Sequence, residues 1–112
     1  LRSTLKRRSK EYEVIFNISL PTIRNMLLRH YSKQCIYCDN VLDVSNMVCD
    51  HIIPLSLGGS STPNNLQMIC RRCNTRKGPL NDTHFRKILR WLNRQDFEIK
   101  KYVLRKLSSR DY

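Results

Sequence analysis

The stretch that decides the fold runs over residues 35–78 and reads CIYCDNVLDVSNMVCDHIIPLSLGGSSTPNNLQMICRRCNTRKG. It contains two Cys-x-x-Cys pairs, Cys35 with Cys38 and Cys70 with Cys73. One such turn lets two thiolates bind the same tetrahedral ion, and two pairs separated by a long insert are a strong signal for structural zinc. Disulfide or redox use is the alternative, but the chain has five cysteines and pairing would leave one over. We therefore predict Zn²⁺ bound by the four paired cysteines.

Between and around the cysteine pairs, the residue pattern predicts a strand, a loop, a second strand and a short helix. Residues 46–50 and 66–69 have strand composition, and residues 54–65 are mostly turn formers. Residues 70–77 contain no helix breaker and precede a Gly-Pro pair, which is a typical helix stop. Cys49 is interpreted as a small apolar residue on a buried strand. The predicted fold class is a small α+β domain.

The chain of 112 residues suits one domain with flanking segments. We assign residues 1–30 to a basic N-terminal arm and helix, residues 31–80 to the core, and residues 81–112 to basic C-terminal helices that pack on the core. Residues 1–10 carry five Lys and Arg and too little apolar surface to fold alone. This arm is either a phosphate-binding tail or a solvated tail without function.

Apolar residues at helical spacing predict further helices on both sides of the core segment. Ser19 is expected to cap a helix that extends to residue 31. Asp82 is expected to cap another, and residues 97–107 repeat the amphipathic pattern. On that last helix we expect Tyr102 in the core rather than as a platform for base stacking.

The charge of the chain points to a polyanionic partner. Lys and Arg number 21 against 9 Asp and Glu, so the formal net charge is +12, and such a surface repels itself without a counter-charge. No apolar run approaches the roughly 20 residues of a spanning helix, and the first ten residues lack the apolar core of a signal peptide. We expect a nucleic acid partner, no membrane, and a cytoplasmic or, in a eukaryote, nuclear location, because thiolate ligands need a reducing compartment.

Four polar residues stand at fixed positions in the core segment. Asp50 and His51 lie at the end of the first predicted strand, Asn65 precedes the second, and Asn74 lies on the helix. With the cysteines, these positions over residues 35–78 resemble the HNH endonucleases, also called ββα-metal or His-Me finger nucleases. The last position of the motif, often His in that family, is Asn74 here. The resemblance implies a ββα-metal core stabilised by the four-cysteine zinc site and flanked by helices.

The same four residues suit phosphodiester hydrolysis, which needs an activated water and charge relief on the phosphate. His51, with an ordinary pKa of about 6.5, can be neutral near physiological pH and act as general base. Asp50 and Asn74 offer oxygen ligands for a catalytic Mg²⁺ or Mn²⁺. By resemblance, Asn65 is a buttress that holds the backbone near His51. Each residue alone would be interpreted as structural, and the joint spacing favours catalysis.

Basic residues on the helix that bears Asn74 are predicted to bind DNA phosphates. They are Arg71, Arg72, Arg76 and Lys77. A merely solvated basic face is the alternative interpretation. The expected activity is metal-dependent cutting of DNA, as a nick or a double-strand break, and a homodimer would suit the latter. The competing hypothesis is a non-catalytic zinc module that binds DNA or RNA, and a protein-interaction zinc domain is a third.

Overall fold

Helices flank a short antiparallel hairpin in the computed structural model, which describes residues 1–109. The elements are α1 (Arg2–Glu11), α2 (Leu20–His30), β1 (Met47–His51), β2 (Leu66–Cys70), α3 (Arg71–Lys77), α4 (Asp82–Asn93) and α5 (Phe97–Ser109). Single turns of 3₁₀ helix, Leu55–Leu57 and Pro63–Asn65, lie in the loop that joins the strands. The α+β fold class is confirmed.

The β1–β2 hairpin sets the distance between the second cysteine pair and the Asp-His pair. Met47 pairs with Cys70 and His51 pairs with Leu66. At about 3.4 Å per residue, this register separates the two ends of the ladder by roughly 14 Å. The second cysteine pair therefore begins at one end of the hairpin, and the Asp-His pair lies at the other.

Two buried clusters cover the two faces of the hairpin. Successive strand residues face opposite sides, so Met68 joins the first cluster and Ile69 joins the second. The first cluster consists of Leu5, Ile18, Ile23, Met26, Leu66 and Met68. The second consists of Cys35, Leu42, Ile69, Cys70 and Cys73. The N-terminal helices thus pack on one face, and the cysteines form part of the other.

The basic N-terminal segment differs from the expected arm, because residues 2–11 form α1 and pack on the core. Leu5 and Ser9, one turn apart on the same helix face, are 6% and 1% exposed. The segment has too little apolar surface to fold alone, but the contact of Leu5 with the first cluster holds the helix in place. Its arginines and lysines lie mostly on the opposite, exposed face.

The cap of α4 is one residue earlier than predicted. Asn81, not Asp82, occupies the N-cap, and its Oδ1 accepts a hydrogen bond from the His84 amide at 2.8 Å. Asp82 is the first helical residue, where a carboxylate suits the positive end of the helix dipole. Its Oδ1 accepts hydrogen bonds from the Tyr37 hydroxyl and from Arg86 Nε, the latter at 2.9 Å.

Helix α5 packs on α3 without burying any residue fully. The prediction of a core position for Tyr102 is wrong, since this side chain is 54% exposed and lies under the Arg105 guanidinium at 5.8 Å. A side-chain bond from Arg76 Nε to Ser108 Oγ, 2.7 Å long, joins the two helices. Within residues 1–109, no helix has both the length and the apolar character required to span a membrane.

Candidate active site and cysteine cluster

The four paired cysteines come together at one end of the hairpin. The sulfur atoms of Cys35, Cys38, Cys70 and Cys73 all lie within 4.8 Å of one another, and the Cys38 and Cys70 sulfurs are 3.6 Å apart. A tetrahedral Zn²⁺ with bonds of about 2.3 Å spaces its sulfur ligands about 3.8 Å apart. The donor set and its spacing therefore fit zinc.

Backbone amides also point at these sulfurs, as expected for thiolate ligands. The Cys70 amide donates to Cys35 Sγ at 3.5 Å, and the Cys73 amide donates to Cys70 Sγ at 3.4 Å. A hydrogen bond from the Cys73 side chain lowers the pKa of Cys35 to about 4.

Cys49, the fifth cysteine, lies outside the cluster, and burial raises its pKa to about 12. This supports the interpretation of Cys49 as an unreactive, largely apolar side chain.

A cleft of about 390 Å³ lies at the other end of the hairpin. Asp50 and His51 from β1 and Asn74 from α3 line it together. Asp50 and His51 are 7% and 8% exposed, so both are largely desolvated. Three of the four predicted catalytic residues therefore share one cleft, which is also lined by residues of α1, of the strand-joining loop and of the C-terminal end of α3.

A buried lysine neutralises Asp50. Lys77 is 1% exposed, and its Nζ lies 3.2 Å from Asp50 Oδ2 and donates to the His51 carbonyl at 2.9 Å. Gln67 Nε2 donates to the same carboxylate oxygen at 2.9 Å. Lys77 is predicted from the sequence to contact DNA, but its side chain lies in the interior. Lys77 lines the cleft, and its ammonium group is held there by a carboxylate and a carbonyl instead of lying on an exposed face of α3.

The imidazole of His51 is buried against the strand-joining loop. Its Nε2 lies 2.8 Å from Ser61 Oγ. Burial lowers the pKa of His51, the neighbouring Asp50 opposes this shift, and the charges of Arg8 and Lys77 add to it. A histidine with a lowered pKa is neutral, and therefore able to accept a proton, over more of the physiological pH range.

Asn65 lies behind the cleft rather than on its lining. Its Nδ2 donates to the carbonyls of Ile53 and Ser60 at 3.0 and 2.8 Å, and its Oδ1 accepts from the Ile53 amide at 2.9 Å. Gly59 makes this loop closure sterically feasible, because a Cβ there would lie 1.7 Å from the Ile53 oxygen. Asn65 thus joins two parts of the loop that follows His51.

The side-chain amide of Asn74 faces the same cleft as the Asp50 carboxylate. Among residues 1–109 this amide makes no hydrogen bond, so its oxygen is available to a ligand. Asp50 Oδ1 has only a long, 3.4 Å contact with Lys77, and a carboxylate oxygen has lone pairs to spare. A carboxylate and an amide oxygen are donors that suit Mg²⁺ or Mn²⁺. The residues present therefore fit a divalent ion that keeps several of its waters.

Comparison with known proteins agrees with this arrangement. The HNH endonuclease family matches residues 35–90, which is half of the chain. The chain belongs to the HNH endonuclease family. A CRISPR-associated endonuclease Cas9 of Corynebacterium diphtheriae is 44% identical to it over 56 residues, or 49% of this chain. The chain spans 5% of the length of that relative. Membership supports a nuclease function and a nucleic acid substrate, whereas nothing in the match or in residues 1–109 supports a homodimer.

In this HNH protein the predicted DNA-binding residues of α3 do not share one environment. Arg71 and Arg72 are exposed, and Arg71 donates from a terminal nitrogen to the Ser45 carbonyl at 3.3 Å. Arg76 is half-buried and bonded to Ser108 of α5. The exposed pair can meet a phosphate, while Arg76 contributes to helix packing.

Two residues that line the cleft from α1 and its C-cap were not predicted from the sequence. Arg8 and Tyr12, one helical turn apart, form part of its wall. Their spacing of four residues was a signal that they share a helix face, but nothing in the sequence placed that face opposite His51. The position of α1 depends on how Leu5 packs, which is a tertiary property.

Proposed function

We propose that this chain is a metal-dependent DNA endonuclease that hydrolyses a phosphodiester bond with His51 as general base and one divalent ion. The observation that carries the proposal is the single cleft that Asp50, His51 and Asn74 line together. A module that only binds DNA would have no use for a desolvated imidazole beside two available oxygen donors. The non-catalytic alternative therefore explains the cysteines and the charge but not the cleft.

The proton transfer in this mechanism belongs to His51. Its neutral imidazole would accept a proton from the attacking water, and the largely buried setting lowers its pKa and favours the neutral form. Asn65 would keep the loop after His51 in position through its three hydrogen bonds. Its role in this proposal is positioning, because it does not line the cleft.

Asp50 and Asn74 are the residues that would hold the catalytic ion, Mg²⁺ or Mn²⁺. When bound, such an ion supplies charge stabilisation for the phosphate and the departing oxygen. Lys77 holds the Asp50 carboxylate in place through a buried ion pair. The four cysteines would hold a structural Zn²⁺, and this thiolate site suits a reducing compartment such as the cytoplasm.

DNA is the proposed substrate because the surface is cationic and the family consists of endonucleases. Arg71 and Arg72 on α3 and Arg8 at the cleft are the candidates for phosphate contacts. Each phosphate contact releases counterions, so DNA affinity should fall with salt by a log-log slope of about 0.9 per contact.

The decisive experiment is cleavage of supercoiled plasmid DNA by the zinc-loaded protein with Mg²⁺ or Mn²⁺. We expect nicked or linear products from the wild type and none from His51→Ala, which should still bind DNA and zinc. His84→Ala is the matched control, since His84 is an exposed histidine on α4. Equal cutting by wild type and His51→Ala would remove His51 from the mechanism. Binding without cutting by any of the three proteins would favour the non-catalytic module.

A further inference from the structure

A buried series of hydroxyl groups connects helix α1 to the imidazole of His51. Ser61 Oγ lies 2.8 Å from His51 Nε2 and 2.6 Å from Ser9 Oγ. Ser9 Oγ in turn lies 2.6 Å from the carbonyl oxygen of Leu5. Ser61 and Ser9 are 0% and 1% exposed, so water does not compete for these hydrogen bonds.

The direction of this series follows from counting hydrogens. Ser9 Oγ is placed to donate both to the Leu5 carbonyl and to Ser61 Oγ, but a serine hydroxyl has one hydrogen. The Leu5 carbonyl can only accept, so that hydrogen must lie in the 2.6 Å contact between Ser9 and Leu5. The hydrogen between the two serines must then come from Ser61, whose hydroxyl also has only one. No hydroxyl hydrogen remains for the contact with His51. The hydrogen in that contact has to come from Nε2 of the imidazole.

Backbone bonds fix Ser61 in the place that this series requires. The Ser61 amide donates to the Ile15 carbonyl at 2.7 Å, and the Ser61 carbonyl accepts from the Asn17 amide at 3.0 Å. Phe16 forms a parallel bridge with Ser61 between these two bonds. The segment after α1 thus holds the backbone of Ser61, and α1 itself holds the side chain. Neither piece belongs to residues 35–90, which match the HNH family.

We propose that Ser9 and Ser61 hold neutral His51 as the Nε2–H tautomer, so that Nδ1 is the ring nitrogen with a free lone pair. A neutral imidazole has one donor and one acceptor nitrogen, and only the acceptor can take a proton from water. The series therefore selects which nitrogen is basic. Both serines are positioning residues. The inference rests on the proposed function of His51 as general base.

Ser9→Ala tests the series at the end far from the imidazole. Without Ser9 Oγ, the Ser61 hydroxyl loses its acceptor and is free to donate to His51 Nε2. That reversal favours the Nδ1–H tautomer, in which the lone pair of Nδ1 is lost. Alanine is a good helix former, so α1 should persist in the variant. Ser3→Ala, at an exposed position of the same helix, is the matched control.

The readout is long-range ¹H–¹⁵N correlation of the imidazoles in ¹⁵N-labelled, zinc-loaded protein, recorded well above the ordinary histidine pKa of about 6.5. We expect wild-type His51 to show only the Nε2–H pattern, with a slowly exchanging Nε2 proton. Ser9→Ala should add an Nδ1–H population, and Ser61→Ala should lose the slow exchange. The signals of His30 and His84 serve as internal references for an intact fold.

Cleavage kinetics measured on the same proteins complete the test. We expect Ser9→Ala and Ser61→Ala to lower kcat by roughly 10- to 100-fold with little change in KM, and Ser3→Ala to match the wild type. An Nδ1–H pattern in the wild type, or a Ser9→Ala spectrum identical to it, would overturn the inference. A changed tautomer with unchanged kcat would overturn the positioning role. Absence of cutting by the wild type would contradict the proposed function, while the spectra would still decide the tautomer.

Discussion

Replacing Lys77 with methionine should destabilise the protein far more than loss of one surface charge would. The ammonium group is 1% exposed, contacts the Asp50 carboxylate at 3.2 Å and donates to the His51 carbonyl at 2.9 Å. Methionine keeps most of the side-chain volume, but within residues 1–109 it leaves the buried carboxylate with only Gln67 as a hydrogen-bond donor. Breaking one side of a buried ion pair costs about 3–5 kcal/mol. The free energy of unfolding of a small domain is about 5–15 kcal/mol in total. The variant should therefore fold, but with much reduced stability.

A divalent ion in the proposed site should reverse part of this loss. In the variant the Asp50 carboxylate no longer shares its charge with Lys77, so it should bind Mg²⁺ more tightly than in the wild type. At saturating ion, each tenfold gain in affinity adds about 1.4 kcal/mol to the free energy of unfolding. At saturating Mg²⁺, tenfold tighter binding by the variant would therefore shrink the difference in stability between the two proteins by about 1.4 kcal/mol.

The assay is urea denaturation of zinc-loaded wild type and Lys77→Met, each with and without Mg²⁺. Lys87→Met is the control, because Lys87 is exposed on α4 and its loss changes the net charge equally. We expect that control to lie within about 0.5 kcal/mol of the wild type. If Lys77→Met lowered the free energy of unfolding by less than about 1 kcal/mol, the buried Lys77–Asp50 pair would not be important for stability. Equal stabilisation of both proteins by Mg²⁺ would refute Asp50 as an ion ligand.

Three further predictions concern the loop, the cysteines and the pH dependence. Gly59→Ala should unfold the loop, because its Cβ would lie 1.7 Å from a backbone oxygen, whereas Gly58→Ala, with open space but φ +85°, should cost only about 1–2 kcal/mol in thermal denaturation. Cys70→Ser should lose zinc in metal analysis and unfold in circular dichroism, since zinc binding supplies on the order of 10 kcal/mol in small domains. Because burial lowers the pKa of His51, the base stays neutral as the pH falls to about 6.5, and kcat should decline only below that value. A half-maximal rate above it in a pH profile would contradict the assignment.

The sequence was sufficient for features that depend on local signals. The predicted strand over residues 46–50 corresponds to β1 (Met47–His51), and the predicted helix over residues 70–77 corresponds to α3 (Arg71–Lys77). Ser19 caps α2 as expected, because its side chain accepts from the Thr22 amide at 3.2 Å. Strand composition, stop signals and caps each act within a few residues, so a single sequence displays them.

Features that depend on distant partners could not be predicted. Lys77 was indistinguishable from its basic neighbours, yet it pairs with Asp50, 27 residues earlier in the chain. The helix α1 was interpreted as an arm because its one well-buried apolar residue, Leu5, gains stability only from the core that it meets. Tyr102 was expected in the core by periodicity, but α3 covers only part of α5. In each case the sequence pattern indicated the local chemistry or helical periodicity of the residues. The contacts with distant parts of the chain determined whether those residues are buried or exposed.

The proposed catalytic unit of this protein is therefore larger than the segment that identifies its family. Residues 35–90 contain the proposed base, the proposed ion ligands and the cysteine cluster. The hydroxyl series that faces His51 Nε2 ends in Ser9 and Leu5, and the backbone of Ser61 is held by residues 15–17. A general base needs a defined tautomer as well as a favourable pKa. In the proposed site the N-terminal segment contributes to both, through the hydroxyl series and, after the larger effect of burial, through the charge of Arg8, which lowers the pKa of His51. Helix α1 is accordingly part of the proposed active site, and its contribution could not be recognised from the family motif.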